Sequence, residues 1–345
     1  MLDSLYGQVM RARRRWAERH PDRRRRLARP VVSVGNLSMG GTGKSPVVAA
    51  IANWLVAQGE RPAILSRGYA RADAAEGVVV VSDGTSVLAS IDRAGDEPLM
   101  LSRQAPGAVV CVSADRHLAG TLAERQFGCT VHVLDDGFQH LELARDLDIL
   151  VTTVGEIPQG RVLPFGRLRE SIGAASRAHV LVVSGATAGA AAAEAWALGI
   201  SLSCGAHRSL GAPIAIRGAL LVGRDADGLG RDNGGLGRDA DGLGRVLVVT
   251  GIANPQRFAD SLRDADWSIA DSMTFSDHHR YTDRDVEQIG ARFRESGATA
   301  VFTTDKDAVR FEVLGALPFP IFRVPLLMEF DPPDVMFESV RAVLA

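Results

Sequence analysis

The sequence predicts an α/β protein: a P-loop NTPase core built on a mostly parallel sheet, plus a second, smaller α/β domain. Three observations carry this. Short apolar runs alternate with longer helical stretches from residue 31 to about 155, the rhythm of a parallel sheet with helices on both faces. A glycine-rich turn joins the first of these runs to a helix. After about residue 175 the strand–helix rhythm starts again. The expected division is a basic amphipathic segment at 1–30, a P-loop kinase core at 31–175, and a smaller α/β domain at 176–345 whose C-terminal part is left free to return to the core.

The elements follow in order. Ten arginines against three acids crowd residues 1–30, with Leu2, Leu5, Tyr6, Val9 and Met10 at roughly helical spacing and Trp16 behind them. Such a segment suits the surface of an anionic membrane, and equally a solvated basic arm. Strands are expected at Val31–Val34, Ala63–Ser66, Val78–Ser82, Val109–Val112, Val131–Leu134 and Ile149–Val154. Helices are expected at Pro46–Gln58, Glu97–Arg103 and Arg116–Phe127, the first with its proline in the opening turn. The smaller domain is read from strands at Val180–Val183, Val246–Thr250, Trp267–Ala270 and Ala300–Thr304, with helices near Ala188–Ala197 and at Asp283–Glu295. Between them, Gly223–Leu229, Gly230–Leu236 and Gly237–Leu243 form a heptapeptide repeat. Three copies are too few for a stacked solenoid, so 223–245 is read as a low-complexity insertion.

Composition limits the function classes. The chain has 345 residues, 46% hydrophobic and 23% charged, as a globular protein does. A net charge of −2 gives no global attraction to nucleic acid, and none is expected as a partner. The three cysteines lack metal-type spacing, no apolar run is long enough to span a bilayer, and no signal peptide is evident.

Two of the 39 basic residues are lysines, Lys44 and Lys306. In so arginine-rich a chain, a retained lysine marks a need for a compact ammonium. Lys44 lies in the loop Ser38, Met39, Gly40, Gly41, Thr42, Gly43, Lys44 and Ser45, directly after Val31–Val34. Successive backbone N–H groups and the next helix's N-terminus cradle phosphates there. Lys44 is placed to reach the β- and γ-phosphates of ATP, and the Ser45 hydroxyl to ligate Mg²⁺. Ser38 stands where the usual pattern has glycine. The apolar run 131–134 ends in Asp135 and Asp136, and Asp135 is a natural strand-borne partner for Mg²⁺ with Asp136 beside it. An acid–glycine turn ending a strand is the blander reading. Asp96 opens a Pro-started helix, where an N-cap role is the simple reading. Asp277, His278 and His279 share a polar loop, and a metal site there would need a further ligand group, which is not in view. Lys306 is expected to pair with Asp305, with Asp307 or with a phosphate. In Thr303-Thr304-Asp305-Lys306-Asp307 the order is wrong for guanine recognition, which argues against a GTPase switch. A membrane scaffold with an idle P-loop leaves the Asp96 and His278 segments without a role.

Taken together these motifs resemble one family. Val34-Gly35-Asn36-Leu37, the glycine loop through Pro46, Ser66-Arg67-Gly68-Tyr69, Gly95-Asp96-Glu97-Pro98 and Asp135-Asp136-Gly137-Phe138-Gln139-His140 are similar to those of the tetraacyldisaccharide 4'-kinases. So are Leu163–Glu170, Asp277-His278-His279 and Thr304–Val309. The resemblance implies transfer of the ATP γ-phosphate, with Mg²⁺, to the 4'-hydroxyl of an acylated glucosamine disaccharide 1-phosphate, giving lipid IVA. It also implies a peripheral position on the cytoplasmic face of the bacterial inner membrane. The family's catalytic acid falls on Asp96, and its histidine partner on His278. Family members usually begin with a longer apolar segment, whose middle Leu5-Tyr6-Gly7 matches; either the start is placed late or this chain relies on its arginines and a short apolar face.

Overall fold

The structure, a computed structural model, describes residues 2–39, 43–68, 77–157, 160–216 and 245–344. It divides into two compact units, 1–208 with 328–345, and 209–327. The heptapeptide repeat, Gly40, Gly41, Thr42 and Tyr69 lie outside the described residues.

The first unit opens with helix α1 (Leu2–Arg19) and continues through β1 (Val31–Gly35), α2 (Lys44–Ala57), β2 (Pro62–Ser66), β3 (Val79–Asp83), α3 (Ile91–Ala94), α4 (Asp96–Gln104), β4 (Val109–Val112), α5 (Arg116–Phe127), β5 (Val131–Asp135), β6 (Leu147–Thr153), β7 (Val180–Ser184), α6 (Ala188–Leu198) and β8 (Leu202–Leu210). The second unit holds β9 (Ile214–Ala215), β10 (Val246–Thr250), α7 (Pro255–Asp264), β11 (Ile269–Thr274), α8 (Asp283–Ser296), β12 (Ala300–Thr304), α9 (Asp305–Phe311) and β13 (Ile321–Val324). The chain then re-enters the first unit through β14 (Leu326–Asp331) and α10 (Pro333–Arg341).

Runs of Val, Ile and Leu that are buried on both faces suit parallel strands covered by helices. All five residues of each of β1, β2, β5 and β7 are buried. The nine-stranded sheet runs β14-β8-β7-β6-β1-β5-β2-β4-β3, parallel from β8 through β4, with β3 antiparallel at one edge. The strand order reverses at β1, which lies between β5 and β6, and the crevice beyond such a reversal is where α/β sheets bind ligands. Helix α2 buries Val47, Val48, Ile51 and Leu55 against this sheet. Each such side chain contributes about 1.5–3 kcal/mol through the water it leaves.

The expected boundary at 175 moves to 208. The renewed strand–helix rhythm after 175 is not a new domain but the continuation of the first sheet. Val180 to Ser184 pair in parallel register with Ile149 to Thr153, and Ala191, Ala195 and Leu198 of α6 join the core around Leu150 and Leu181. An alternating pattern reads the same on both sides of a boundary, so periodicity cannot locate one.

The second unit has its own five-stranded sheet, β11-β10-β12-β13-β9, parallel except for β9. Its core gathers Leu247, Val249, Ile289, Val301, Phe311 and Phe319. Its strand order also reverses, here at β10 between β11 and β12.

The basic N-terminal segment is helical and docked. Arg14 is buried and makes an ion pair with Glu170, while Ala17 is also buried. Burial, with the charge of Arg177, pushes the Arg14 guanidinium down to about 9. Val9 and Trp16 stay exposed.

Candidate active site

Gly35 ends β1 because the chain has no room for a side chain there. A Cβ would lie 2.6 Å from that of Phe138. Beyond it Asn36, Leu37 and Ser38 are buried and Met39 is half exposed. Gly43, in left-handed conformation at φ 93°, caps α2 without a side-chain hydrogen bond, which leaves the helix's first N–H groups for another acceptor. Its position is crowded too: a Cβ would sit 3.0 Å from Arg208 Nη2 and 3.2 Å from Ser184 Oγ. Lys44 and Ser45 open the helix. Lys44 Nζ donates to Asn36 Oδ1 at 3.1 Å and lies 3.6 Å from Asp136 Oδ1.

The acids reach this loop through strand register. Val34 lies opposite Asp135, so β1 and β5 end together. Asp135 is 4% exposed and accepts from Ser66 Oγ at 3.0 Å. Burial, then the neighbouring charges of Glu97 and Asp136, push its carboxyl up to about 6. Asp136 turns the chain at φ 54°. Burial opposes its ionisation, but Lys44 and Arg169 outweigh burial and hold it below the usual carboxylate range. Arg169 Nη1 donates to Asp136 Oδ2 at 2.7 Å. The other oxygen, Asp136 Oδ1, is buried with no hydrogen-bond partner.

The segment after β6 braces the loop. Met39 N donates to Arg167 O at 2.7 Å, Arg167 Nη2 returns a bond to Met39 O at 2.8 Å, and Arg169 N donates to Leu37 O at 2.6 Å. The site thus includes Asn36, Arg169 and Arg208, to which the sequence reading gave no role. Asn36 and Arg169 stood within the motifs that carry the family resemblance; Arg208 had no signal, since it is an ordinary strand position until the fold brings it to Gly43.

Asp96 is the first residue of α4, and Gly95 at φ 83°, not Asp96, is the N-cap. The charge of the next residue, Glu97, is felt at Asp135, so this helix start lies near the acid pair. His278 belongs to the other unit. It sits at φ 61° in the loop after β11, its N–H donating to Gly251 O at 3.2 Å. Lys306 pairs with neither Asp305 nor Asp307, the two acids the sequence offered beside a phosphate. Its Nζ donates to Asp277 Oδ1 at 3.0 Å and lies 3.1 Å from His278 Nε2. Asp305 is taken by Arg323, and Asp307 by Arg310, because α9 turns the two acids inward and the lysine outward.

The donor set suits a hard cation. Ser45, Asp135 and Asp136 offer only oxygens, and Asp136 Oδ1 is buried and unbonded. Among the described residues no group of three or more His, Cys, Asp or Glu gathers as a metal cage. Mg²⁺ does not need one, since it is commonly held by one or two carboxylates together with substrate phosphates.

A strand–glycine loop–helix with a lysine at its mouth, beside a neighbouring strand ending in acids, defines a P-loop phosphotransferase. A family model described as tetraacyldisaccharide-1-P 4'-kinase matches residues 1–345. The chain is 42% identical over 289 residues to the tetraacyldisaccharide 4'-kinase of Pelobacter propionicus, covering 83% of this chain and 75% of the relative. It is 39% identical over 331 residues to that of Geobacter sulfurreducens, covering 95% and 88%. The crystal structure of LpxK from Aquifex aeolicus in complex with ATP matches across 100% of both chains, with a TM-score of 0.78 and 26% identity. The chain therefore belongs to the tetraacyldisaccharide 4'-kinase family, and it is a kinase of lipid A biosynthesis that phosphorylates the 4'-position of tetraacyldisaccharide 1-phosphate.

Proposed function

We propose that the protein transfers the γ-phosphate of ATP to the 4'-hydroxyl of the acylated disaccharide 1-phosphate, with Mg²⁺, as a peripheral protein on the cytoplasmic face of the inner membrane. The observation that supports the nucleotide part is the meeting of Lys44, Asp135 and Asp136 at the ends of β1 and β5 beside the start of α2. Lys44 and the N–H groups of the loop, from Ser38 to Ser45 with Met39, Gly40, Gly41, Thr42 and Gly43 between, hold the β- and γ-phosphates. Ser45, Asp135 and Asp136 hold Mg²⁺, whose charge offsets that of the phosphates. Asp136, kept ionised by Lys44 and Arg169, serves this at neutral pH.

Phosphoryl transfer asks the protein mainly for positioning and charge neutralisation, with an acid to orient the attacking hydroxyl. Asp96 takes that part and accepts the 4'-hydroxyl proton. His278 orients Asp96. Support for both is the family resemblance of their motifs, and for Asp96 also its place at a helix start near the acid pair. For the membrane, support comes from α1, with exposed Val9 and Trp16 among its arginines, while no helix among the described residues is long and apolar enough to cross a bilayer.

The test is incubation with γ-labelled ATP and the acylated disaccharide 1-phosphate in detergent. Asp96→Ala is expected to lower label transfer to lipid by about 10²–10⁴-fold and to leave ATP affinity nearly unchanged. Wild-type turnover in that variant would refute the role of Asp96.

A further inference from the structure

The turn that follows the acid pair points three backbone carbonyls at one nitrogen. Arg145 Nη1 donates to Gly137 O and to His140 O, each at 3.1 Å, and more loosely to Phe138 O at 3.4 Å. Its other amino group, Nη2, lies 3.2 Å from Asp148 Oδ2, and the arginine side chain is 4% exposed. Converging carbonyl dipoles repel one another, and a buried carbonyl without a donor is costly. The guanidinium relieves both at once, and its charge is answered by Asp148.

This turn is seated on the end of β1. Gly137 N donates to Val34 O at 3.0 Å, and a Cβ on Gly137 would lie 2.6 Å from Ser33 Oγ. Asp148 stands on β6 opposite Ser33. Arg145 therefore ties the turn leaving β5 to β6, with β1 between them, where the strand order reverses. Arg177 holds the turn from another side, its guanidinium 5.0 Å from the centre of the Phe138 ring. Two side chains of the turn reach the nucleotide loop. Asp136 Oδ1 lies 3.6 Å from Lys44 Nζ, and Gln139 Nε2 donates to Asn36 O at 2.8 Å. Asn36 in turn accepts from Lys44. Asp136 itself keeps φ at 54°, a conformation that a non-glycine residue holds only when its surroundings impose it.

We propose that Arg145 is a positioning residue of the phosphotransfer site: by gathering the carbonyls of Gly137, Phe138 and His140 it fixes the turn that presents Asp136 and Gln139 to the Lys44 loop. This rests on the reading of Asp136 as an acid of the Mg²⁺ site. Arg145 touches neither Asp136 nor Lys44; it sets the backbone from which Asp136 is aimed. The inference also accounts for arginine at this position. A guanidinium carries its donors on separate nitrogens in one rigid plane, so it serves the carbonyls with one and Asp148 with the other. An ammonium has a single nitrogen for both.

The experiment uses the full-length protein as wild type, Asp148→Asn, Arg145→Met combined with Asp148→Asn, Arg145→Lys and Asp136→Asn. The double variant leaves no charge buried alone, which protects its folding. Amide hydrogen exchange is followed in the segment 136–141, and the Mg²⁺ concentration for half-maximal phosphate transfer is measured. In the double variant that segment is expected to exchange faster, and the Mg²⁺ requirement to rise about 10–100-fold, the usual cost of losing a group that orients a metal-holding side chain. A smaller folded fraction alone would lower the rate and leave the Mg²⁺ requirement where it was. Asp148→Asn, which keeps the carbonyl contacts, should stay near wild type in both readouts, and Arg145→Lys should recover part of the loss. Unchanged exchange at 136–141 or a wild-type Mg²⁺ requirement in the double variant overturns the proposal. Should Asp136→Asn keep wild-type rate and Mg²⁺ requirement, the reading of Asp136 fails instead, and the exchange data still decide whether Arg145 holds the turn.

Discussion

Lys44 Nζ stands 3.6 Å from Asp136 Oδ1, an oxygen that is buried and accepts no hydrogen bond. The loop lysine and the acid that follows β5 thus balance each other's charge. The same lysine donates to Asn36 Oδ1 at 3.1 Å, which aims it along the loop. A guanidinium is planar and broad and cannot take this position between an amide and a carboxylate.

Lys44→Arg is therefore expected to be nearly inactive although its charge is kept. Loss of a donor aimed at transferring phosphate costs about 10²–10³-fold in kcat. Steady-state transfer to the acylated disaccharide measures it, and turnover near that of wild type would contradict the argument.

Asp135 gives a pH-dependent stability effect. Its carboxyl titrates at about 6 in the folded chain against about 3.9 in an unfolded one. The folded state holds the extra proton between those values. The contribution of this group to stability is thus full below pH ~4 and is lost as pH rises through ~6. Asp135→Asn removes the titration. Relative to wild type it should gain about 1–3 kcal/mol between pH 4 and pH 7.5, while kinase activity falls. Denaturant unfolding of both proteins at the two pH values checks this; an equal difference at both would sink it.

Arg14 and Glu170 form a buried ion pair 156 positions apart in sequence. Removing one partner strands the other charge in a poorly hydrated site. Arg14→Ala should cost about 3–5 kcal/mol, whereas a well-packed apolar replacement of both residues should cost much less. A double-mutant cycle on unfolding free energies gives the coupling, and additive effects would show the pair to be idle.

Deleting Gly223–Leu243 is expected to leave kcat unchanged. The motive is composition: three Asp- and Gly-rich heptads offer little to bury. A large loss of kcat on a detergent-dispersed substrate would contradict it.

Much of this was readable in the chain. Val31–Val34 and Val131–Leu134 declared themselves as strands because β-branched runs buried on both faces have few other uses. That Lys44 and the two aspartates come together was legible because each stands at the end of a locally patterned segment. What escaped was non-local or weakly patterned. β8 mixes Ser, Gly, His and Arg with apolar residues; β13 has four residues and α9 seven. The grip of Arg169 on Asp136 spans 33 positions and the hold of Lys306 on Asp277 spans 29, and no local spacing rule connects such residues.

The first unit is discontinuous, and this bears on how the protein is made. β8 has β14 as its neighbour at the sheet edge, yet all of 211–325 lies between them in sequence. A chain emerging from the ribosome presents the outer edge of β8 with its hydrogen-bonding groups unsatisfied until the second unit has been synthesised. At about 5–20 residues per second that interval is seconds long, and an open strand edge is a template for wrong pairing. The nascent kinase thus has a built-in period of vulnerability that ends only once β14 has emerged. Truncations near the C-terminus should accordingly appear as insoluble protein rather than as a slower enzyme.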